Sequence, residues 1–101
     1  MVGRRKGEKP IKHKPLLWSD DGPIARAIRT GDSWLYAWVA QQCVRMETLS
    51  RRSGIAMARL DDLWRGAGAT EGELEVLAGP FGTDVESLRA SIALDRLTGE
   101  A

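Results

Sequence analysis

The stretch from Leu49 to Leu63 constrains the fold of this 101-residue chain more than any other. Gly54 lies where a short helix has to end, because glycine adopts a left-handed backbone at little cost. Leu49 precedes it on the inner face of one helix, and Ile55 follows it at the corner. Leu60 and Leu63 are three residues apart, so they direct one face of a second helix into a core. The spacing predicts a helix-turn-helix whose second helix keeps its outer face exposed.

Two short helices are predicted before this motif. Pro23 suits a first helical position, after a cap at Asp20 or Asp21. Asp32 or Ser33 then caps the next helix.

Two capping boxes are predicted after the motif. Thr70 with Glu73 and Thr83 with Glu86 have the spacing of such boxes, each ahead of an apolar helical face. No stretch shows the alternation of a half-buried strand. The prediction is therefore an all-α fold, a compact bundle of five or six helices.

The positive charge is concentrated at the start of the chain. Residues 1–14 hold six cationic residues against one acid, a charge of +5, whereas the remainder holds nine arginines against 13 acids, a charge of −4. Glycine and proline in the same stretch discourage regular structure. We therefore predict a flexible basic arm over residues 1–15 and a helical domain over residues 16–101, with the helix-turn-helix at about 46–66. The cations of the arm are Arg4, Arg5, Lys6, Lys9, Lys12 and Lys14.

Residues able to do chemistry are few. His13 lies in the basic arm without neighbouring ligand residues, and Cys43 has no second thiol, so Cys43 is interpreted as a core residue. Since no phosphate-binding glycine loop or converging acid, base and nucleophile is present, we expect no enzyme, no cofactor and no metal. The chain lacks both a secretory signal and an apolar run of the roughly 18 residues that span a membrane. We expect a cytoplasmic protein without a membrane partner.

Residues 33–88 resemble the Cro and phage-repressor-like (XRE-type) helix-turn-helix family. The resemblance implies a lambda-repressor-like bundle that regulates transcription by binding double-stranded DNA, with the second helix of the motif in the major groove. It also implies a bacterial nucleoid or a phage-infected cell as the location, and a homodimer as the expected assembly. The residues that carry the resemblance are Leu49-Ser50, Gly54-Ile55, Leu60, Leu63, Gly66, Leu77-Ala78, Phe81-Gly82 and Leu88.

The groove-facing positions depart from the family pattern. Family members place polar donors there to read base edges, whereas this chain has Ala56, Met57, Ala58, Asp61 and Asp62. Methyl and thioether groups can touch a thymine methyl, but two adjacent acids near phosphates are unfavourable, so base readout by this helix is expected to be weak. The candidate DNA-binding residues outside the arm are Arg51, Arg52, Met57, Ala58, Arg59, Asp61, Asp62 and Arg65.

A second interpretation stays open beside DNA binding. The same fold can serve as a protein-interaction module, whose acidic and apolar recognition face binds a regulator, a polymerase subunit or a toxin. Asp61 and Asp62 discriminate the two, because reversing their charge weakens a protein partner but leaves DNA affinity flat or improved.

Four tryptophans give the remaining predictions. Trp38 and Trp64 are predicted in the core, and Trp18 and Trp34 at a surface that a partner covers. By the resemblance, Val39 and Trp64 occupy the places of a buried ion pair in the family, so these two side chains are predicted to touch.

Overall fold

The computed structural model describes residues 15–99, and within that range it contains six α-helices and no strand. This confirms the prediction of an all-α fold. Apart from Pro15, the predicted basic arm lies outside the described residues, and with it the candidate contacts Arg4, Arg5, Lys6, Lys9, Lys12 and Lys14. The helices are α1 (Pro23–Arg29), α2 (Trp34–Gln42), α3 (Met46–Ser53), α4 (Met57–Trp64), α5 (Glu71–Phe81) and α6 (Val85–Gly99).

A three-residue turn, residues 54–56, joins α3 to α4. Gly54 takes the predicted left-handed conformation at φ 80°, and its N–H donates to the carbonyl of Ser50. Two serines then hold the corner: the Ser50 hydroxyl donates to the carbonyl of Ile55 over 2.6 Å, and Ser53 Oγ accepts from the Ile55 N–H over 3.1 Å. The Ile55 side chain is also buried, so both its backbone hydrogen bonds and its packing against the core hold the turn in place.

The core is assembled around Trp38, which is fully buried on α2. Its indole N–H donates to Ser91 Oγ on α6 over 2.9 Å, and that hydroxyl donates onward to the carbonyl of Leu88 over 2.7 Å. The Trp38 and Phe81 rings stack with centroids 6.1 Å apart. These buried polar groups therefore have partners, as stability requires. The leucines that α3 and α4 contribute to the core are Leu49, Leu60 and Leu63.

Only one of the two predicted capping boxes forms. Thr70 and Glu73 make the reciprocal box at the start of α5. The box at Thr83 was wrong, because the Thr83 hydroxyl donates to the carbonyl of Leu16 instead. Asp84, one residue later, accepts the Ser87 N–H over 2.8 Å and caps α6.

Of the caps predicted for α1 and α2, only that of α2 is found. Ser33 caps α2 by accepting the Tyr36 N–H. At α1, Pro23 takes the predicted first position, but the N-cap is Gly22 without a side-chain hydrogen bond. The carboxylate of Asp20 accepts the Trp18 indole N–H instead.

Residues 16–18, called here the N-terminal strap, lie across the junction of α5 and α6. The Leu16 N–H donates to the carbonyl of Gly82 over 2.8 Å, and the Trp18 N–H donates to Ser87 Oγ over 2.8 Å. With the bond from Thr83, three hydrogen bonds fix this first described segment to the helical domain.

Three predictions of burial were wrong. Cys43 is exposed, because it ends α2 in a left-handed conformation at φ 55° and so leaves the apolar face of that helix. Trp34 is buried at 4% exposure, since α2 starts against α6 and its N–H donates to Asp95. Trp64 is 36% exposed, because it lies on the flank of α4 beside the inward-facing Leu60 and Leu63. No helix within residues 15–99 is both long and apolar enough to cross a membrane.

Candidate nucleic-acid interface

The outer face of α4 is exposed and carries more acid than base. Because Leu60 and Leu63 point into the core, the opposite side of the helix presents Ala58 together with three charged residues. Arg65 Nη2 lies 3.1 Å from Asp61 Oδ2, and the two side chains are 75% and 55% exposed. The one arginine on this outer face, Arg65, is therefore already paired with Asp61. The charged residues of this face are Asp61, Asp62 and Arg65.

Arg59 lies on the side of α4 that faces α5, and its guanidinium binds the first turn of that helix. Its guanidinium makes a two-point contact with Glu73, with Nε–Oε2 at 2.7 Å and Nη2–Oε1 at 3.0 Å. Nη2 also donates to the carbonyl of Gly68 over 2.8 Å. Glu73 accepts the Thr70 N–H as well, so one carboxylate caps α5 and ties it to α4.

This contact perturbs both partners. Hydrogen bonding from Arg59 lowers the pKa of Glu73 to about 2, against an opposing effect of partial burial. The same hydrogen bond raises the pKa of Arg59. Arg59 was predicted as a DNA contact, and that stays a prediction. Its guanidinium would have to leave Glu73 to reach a base or phosphate.

The arginines of α3 are placed differently. Arg51 and Arg52 are exposed in its last turn, and Arg45 is exposed at its N-cap position. None of the three forms an ion pair within residues 15–99, where the ion pairs are made by Arg59, Arg65 and Arg89. Arg45 was not among the predicted contacts. A cationic residue directly before the predicted helix start at Met46 was the signal that could have identified it.

Arg45 and Arg52 line one open cleft of about 940 Å³. Among the described residues that line this cleft, none is acidic. Pro15, the first described residue and the last residue of the predicted basic arm, lies at the same cleft. The cleft also borders the start of α3, which has no side-chain cap, and the first-turn N–H groups of a helix are groups that anions bind.

The second flank of α4 is apolar. Met57 and Trp64 are 45% and 36% exposed, and the Trp64 ring packs edge-on against Tyr36 of α2, with centroids 5.4 Å apart. Val39, three residues after Tyr36 on the same helix, is half-buried against the core. Its predicted contact with Trp64 stays a prediction.

Within residues 15–99, no group of three or more His, Cys, Asp or Glu side chains could hold a metal ion. No protein-family model, no curated protein and no solved structure matches the chain. The resemblance to phage-repressor-like proteins therefore depends on the sequence pattern alone.

Proposed function

We propose that this protein is a DNA-binding transcriptional regulator, with a lambda-repressor-like helix-turn-helix formed by α3, the turn and α4. Its affinity for duplex DNA comes mainly from phosphate contacts by the basic arm and by α3. The observation that carries the proposal is the cleft whose described lining holds Arg45 and Arg52, no acid, and Pro15 at the end of the basic arm.

Phosphate contacts suit this charge distribution. Pro15 lies at the cleft with Arg45 and Arg52, and the six cations of residues 1–14 precede it in the sequence. We propose that both sets of cations follow one stretch of DNA backbone. Each phosphate that is neutralised releases counterions, and the logarithm of the affinity then falls with the logarithm of the salt concentration by about 0.9 per contact. The uncapped start of α3 adds N–H groups that bind phosphate oxygens.

In this proposal α4 lies in the major groove but discriminates bases weakly. Met57 and Ala58 are exposed and can touch thymine methyl groups. Asp61 and Asp62 can only accept hydrogen bonds, and they repel phosphates. The protein is therefore expected to bind many duplex sequences with similar affinity and a steep dependence on salt.

The test is a titration of a random-sequence duplex over a series of salt concentrations. The native chain is compared with a full-length variant in which the six cations of residues 1–14 are replaced by glutamine. We expect the variant to bind more weakly at low salt and to lose several units of salt slope, at about 0.9 per phosphate contact.

The control for that titration is the double variant Asp61→Asn with Asp62→Asn. Removing two acids that face the DNA is expected to leave the slope unchanged and the affinity equal or higher. Absence of measurable duplex binding by the native chain, even at low salt, would overturn the proposal.

A second candidate function is a protein-interaction module on the same fold. The observation that favours it is the engagement of the α4 arginines inside the molecule, Arg59 by Glu73 and Arg65 by Asp61. What remains on α4 for a partner is carboxylate and apolar surface. Such a surface fits a basic protein segment better than a base pair.

A further inference from the structure

A small open pocket of about 220 Å³ lies on the apolar flank of α4. Its lining combines two thioethers, one indole and one carboxylate, from the first turn of α3 and along the length of α4. The indole also makes an edge-on contact with Tyr36, which does not line the pocket. The residues that line it are Met46, Met57, Asp61 and Trp64.

This combination suits a long side chain with an apolar stem and a cationic end. Methylene groups pack well against thioethers and an indole, while the charged end of such a chain seeks a carboxylate. The one carboxylate of the pocket, Asp61, is 55% exposed at its rim and already holds a guanidinium, that of Arg65, at 3.1 Å. A guanidinium from outside can take the same place, because the Arg65 side chain is 75% exposed and can swing away.

We infer that this pocket receives an arginine side chain from a partner protein, with its methylene stem between Met57 and Trp64 and its guanidinium on Asp61. The inference rests on the second candidate function, and it names the chemistry that the α4 surface recognises. Arg65 acts as an internal competitor that the partner arginine displaces. Aromatic residues, methionine and arginine are enriched in protein interfaces, where a polar rim surrounds the apolar core.

The test uses the full-length chain and a defined probe, the peptide N-acetyl-Leu-Arg-Leu-amide. Binding is followed by the NMR resonance of the Trp64 indole N–H, which is identified by its disappearance in the variant Trp64→Phe. The matched probe carries citrulline, the neutral isostere of arginine. We expect saturable movement of the Trp64 resonance with the arginine peptide and several-fold weaker binding of the citrulline peptide.

Three substitutions then test which charged residue of α4 binds the arginine of the peptide. Asp61→Asn is expected to raise the Kd of the arginine peptide about fivefold, the factor that an exposed ion pair of about 1 kcal/mol provides. Arg65→Gln is expected to lower the Kd by a similar factor, since it removes the competitor. Asp62→Asn removes an equal charge from the neighbouring residue, which does not line the pocket, and is expected to leave the Kd nearly unchanged.

Equal weakening by Asp61→Asn and Asp62→Asn would overturn the inference, because attraction to the overall charge of α4 would then suffice. A Trp64 resonance that moves with protein concentration alone would assign the pocket to a second copy of the chain, and would also overturn it. If the peptide moves resonances elsewhere on α4 but not that of Trp64, the pocket fails while the second candidate function stands. If no α4 resonance moves, both fail.

Discussion

The first turns of α5 and α3 differ in whether their backbone N–H groups are capped by side chains. A helix start exposes N–H groups without partners inside the helix. At α5 these groups are satisfied by the capping box of Thr70 and Glu73, and Arg59 closes the site from outside. At α3 the N-cap residue is Arg45, which provides no side-chain cap.

The arginines near these two helix starts differ in the same way: those at α5 form ion pairs inside the protein, whereas those at α3 are exposed and can bind a partner. Arg59 and Arg89 each bind a carboxylate of α5, so they join neighbouring elements. Arg45, Arg51 and Arg52 form no ion pair within residues 15–99. Two of them, Arg45 and Arg52, line a cleft without acids among its described lining. A helix start that is left open beside cations is a place where an anion can bind.

The largest expected effect is on DNA binding. The double variant Arg45→Gln with Arg52→Gln removes both cations of the cleft, and we expect duplex affinity at 0.1 M salt to fall roughly 50- to 100-fold, near tenfold for each phosphate contact. Thermal unfolding is expected to stay nearly unchanged. The measurement is the same titration over a series of salt concentrations.

The matched control for the cleft is Arg26→Gln with Arg96→Gln, an equal loss of charge from α1 and α6 at residues that do not line it. If this control weakens binding as much as the cleft variant does, only net charge matters and the contrast between α3 and the rest of the molecule disappears.

A smaller effect, on stability, is expected at the closed helix start. Glu73→Gln removes the carboxylate that both caps α5 and holds Arg59, and we expect a loss of roughly 2 kcal/mol at pH 7, reduced from the full pKa shift by partial exposure of the pair. The pKa of Glu73 is about 2 in the folded chain and 4.5 without its partners. The stabilisation is therefore present above about pH 4.5 and disappears as the pH falls through 2.

Urea unfolding of the native chain and of Glu73→Gln between pH 7 and pH 2 measures that difference. The two curves of unfolding free energy should converge toward the acidic end. Glu75→Gln, at an exposed position of the same helix, is the control and should follow the native chain throughout. Parallel curves for Glu73→Gln would show that the carboxylate does not provide the stabilisation.

The smallest expected effect concerns the residue between α2 and the open start of α3. Cys43 adopts the left-handed conformation at φ 55°, which costs residues with a side chain more than it costs glycine. Cys43→Gly is expected to stabilise the fold by about 0.5 to 1 kcal/mol, measured by urea unfolding. Cys43→Ser keeps the strained side chain, so a gain with serine as large as with glycine would refute the explanation.

The parts of the fold that follow from local rules could be predicted from the sequence. The turn at Gly54, the Ser33 cap and the box of Thr70 with Glu73 each depend on residues within a few positions of one another. The inward positions of Leu60 and Leu63 follow in the same way from helical periodicity.

The parts that failed depend on contacts between distant residues. Thr83 has the right spacing for a capping box, but its hydroxyl bonds to Leu16, 67 positions away. Periodicity places Trp64 near the apolar side of α4, yet whether another element covers it depends on how the helices pack. The sequence alone gives Arg59 no partner, whereas in the fold Glu73, 14 positions later, lies beside it and forms an ion pair. Local sequence rules therefore could not predict which arginines of the candidate site are free to bind DNA and which are held in ion pairs.

The N-terminal strap also affects how the chain matures during synthesis. Its hydrogen-bond partners, Gly82, Thr83 and Ser87, are translated more than 60 positions after Leu16 and Trp18. Since a ribosome releases the N-terminal end first, the strap has nowhere to dock until α5 and the first turn of α6 have emerged. The anchorage of the strap and the packing of α6 against the rest of the domain therefore depend on the same late segment of the chain.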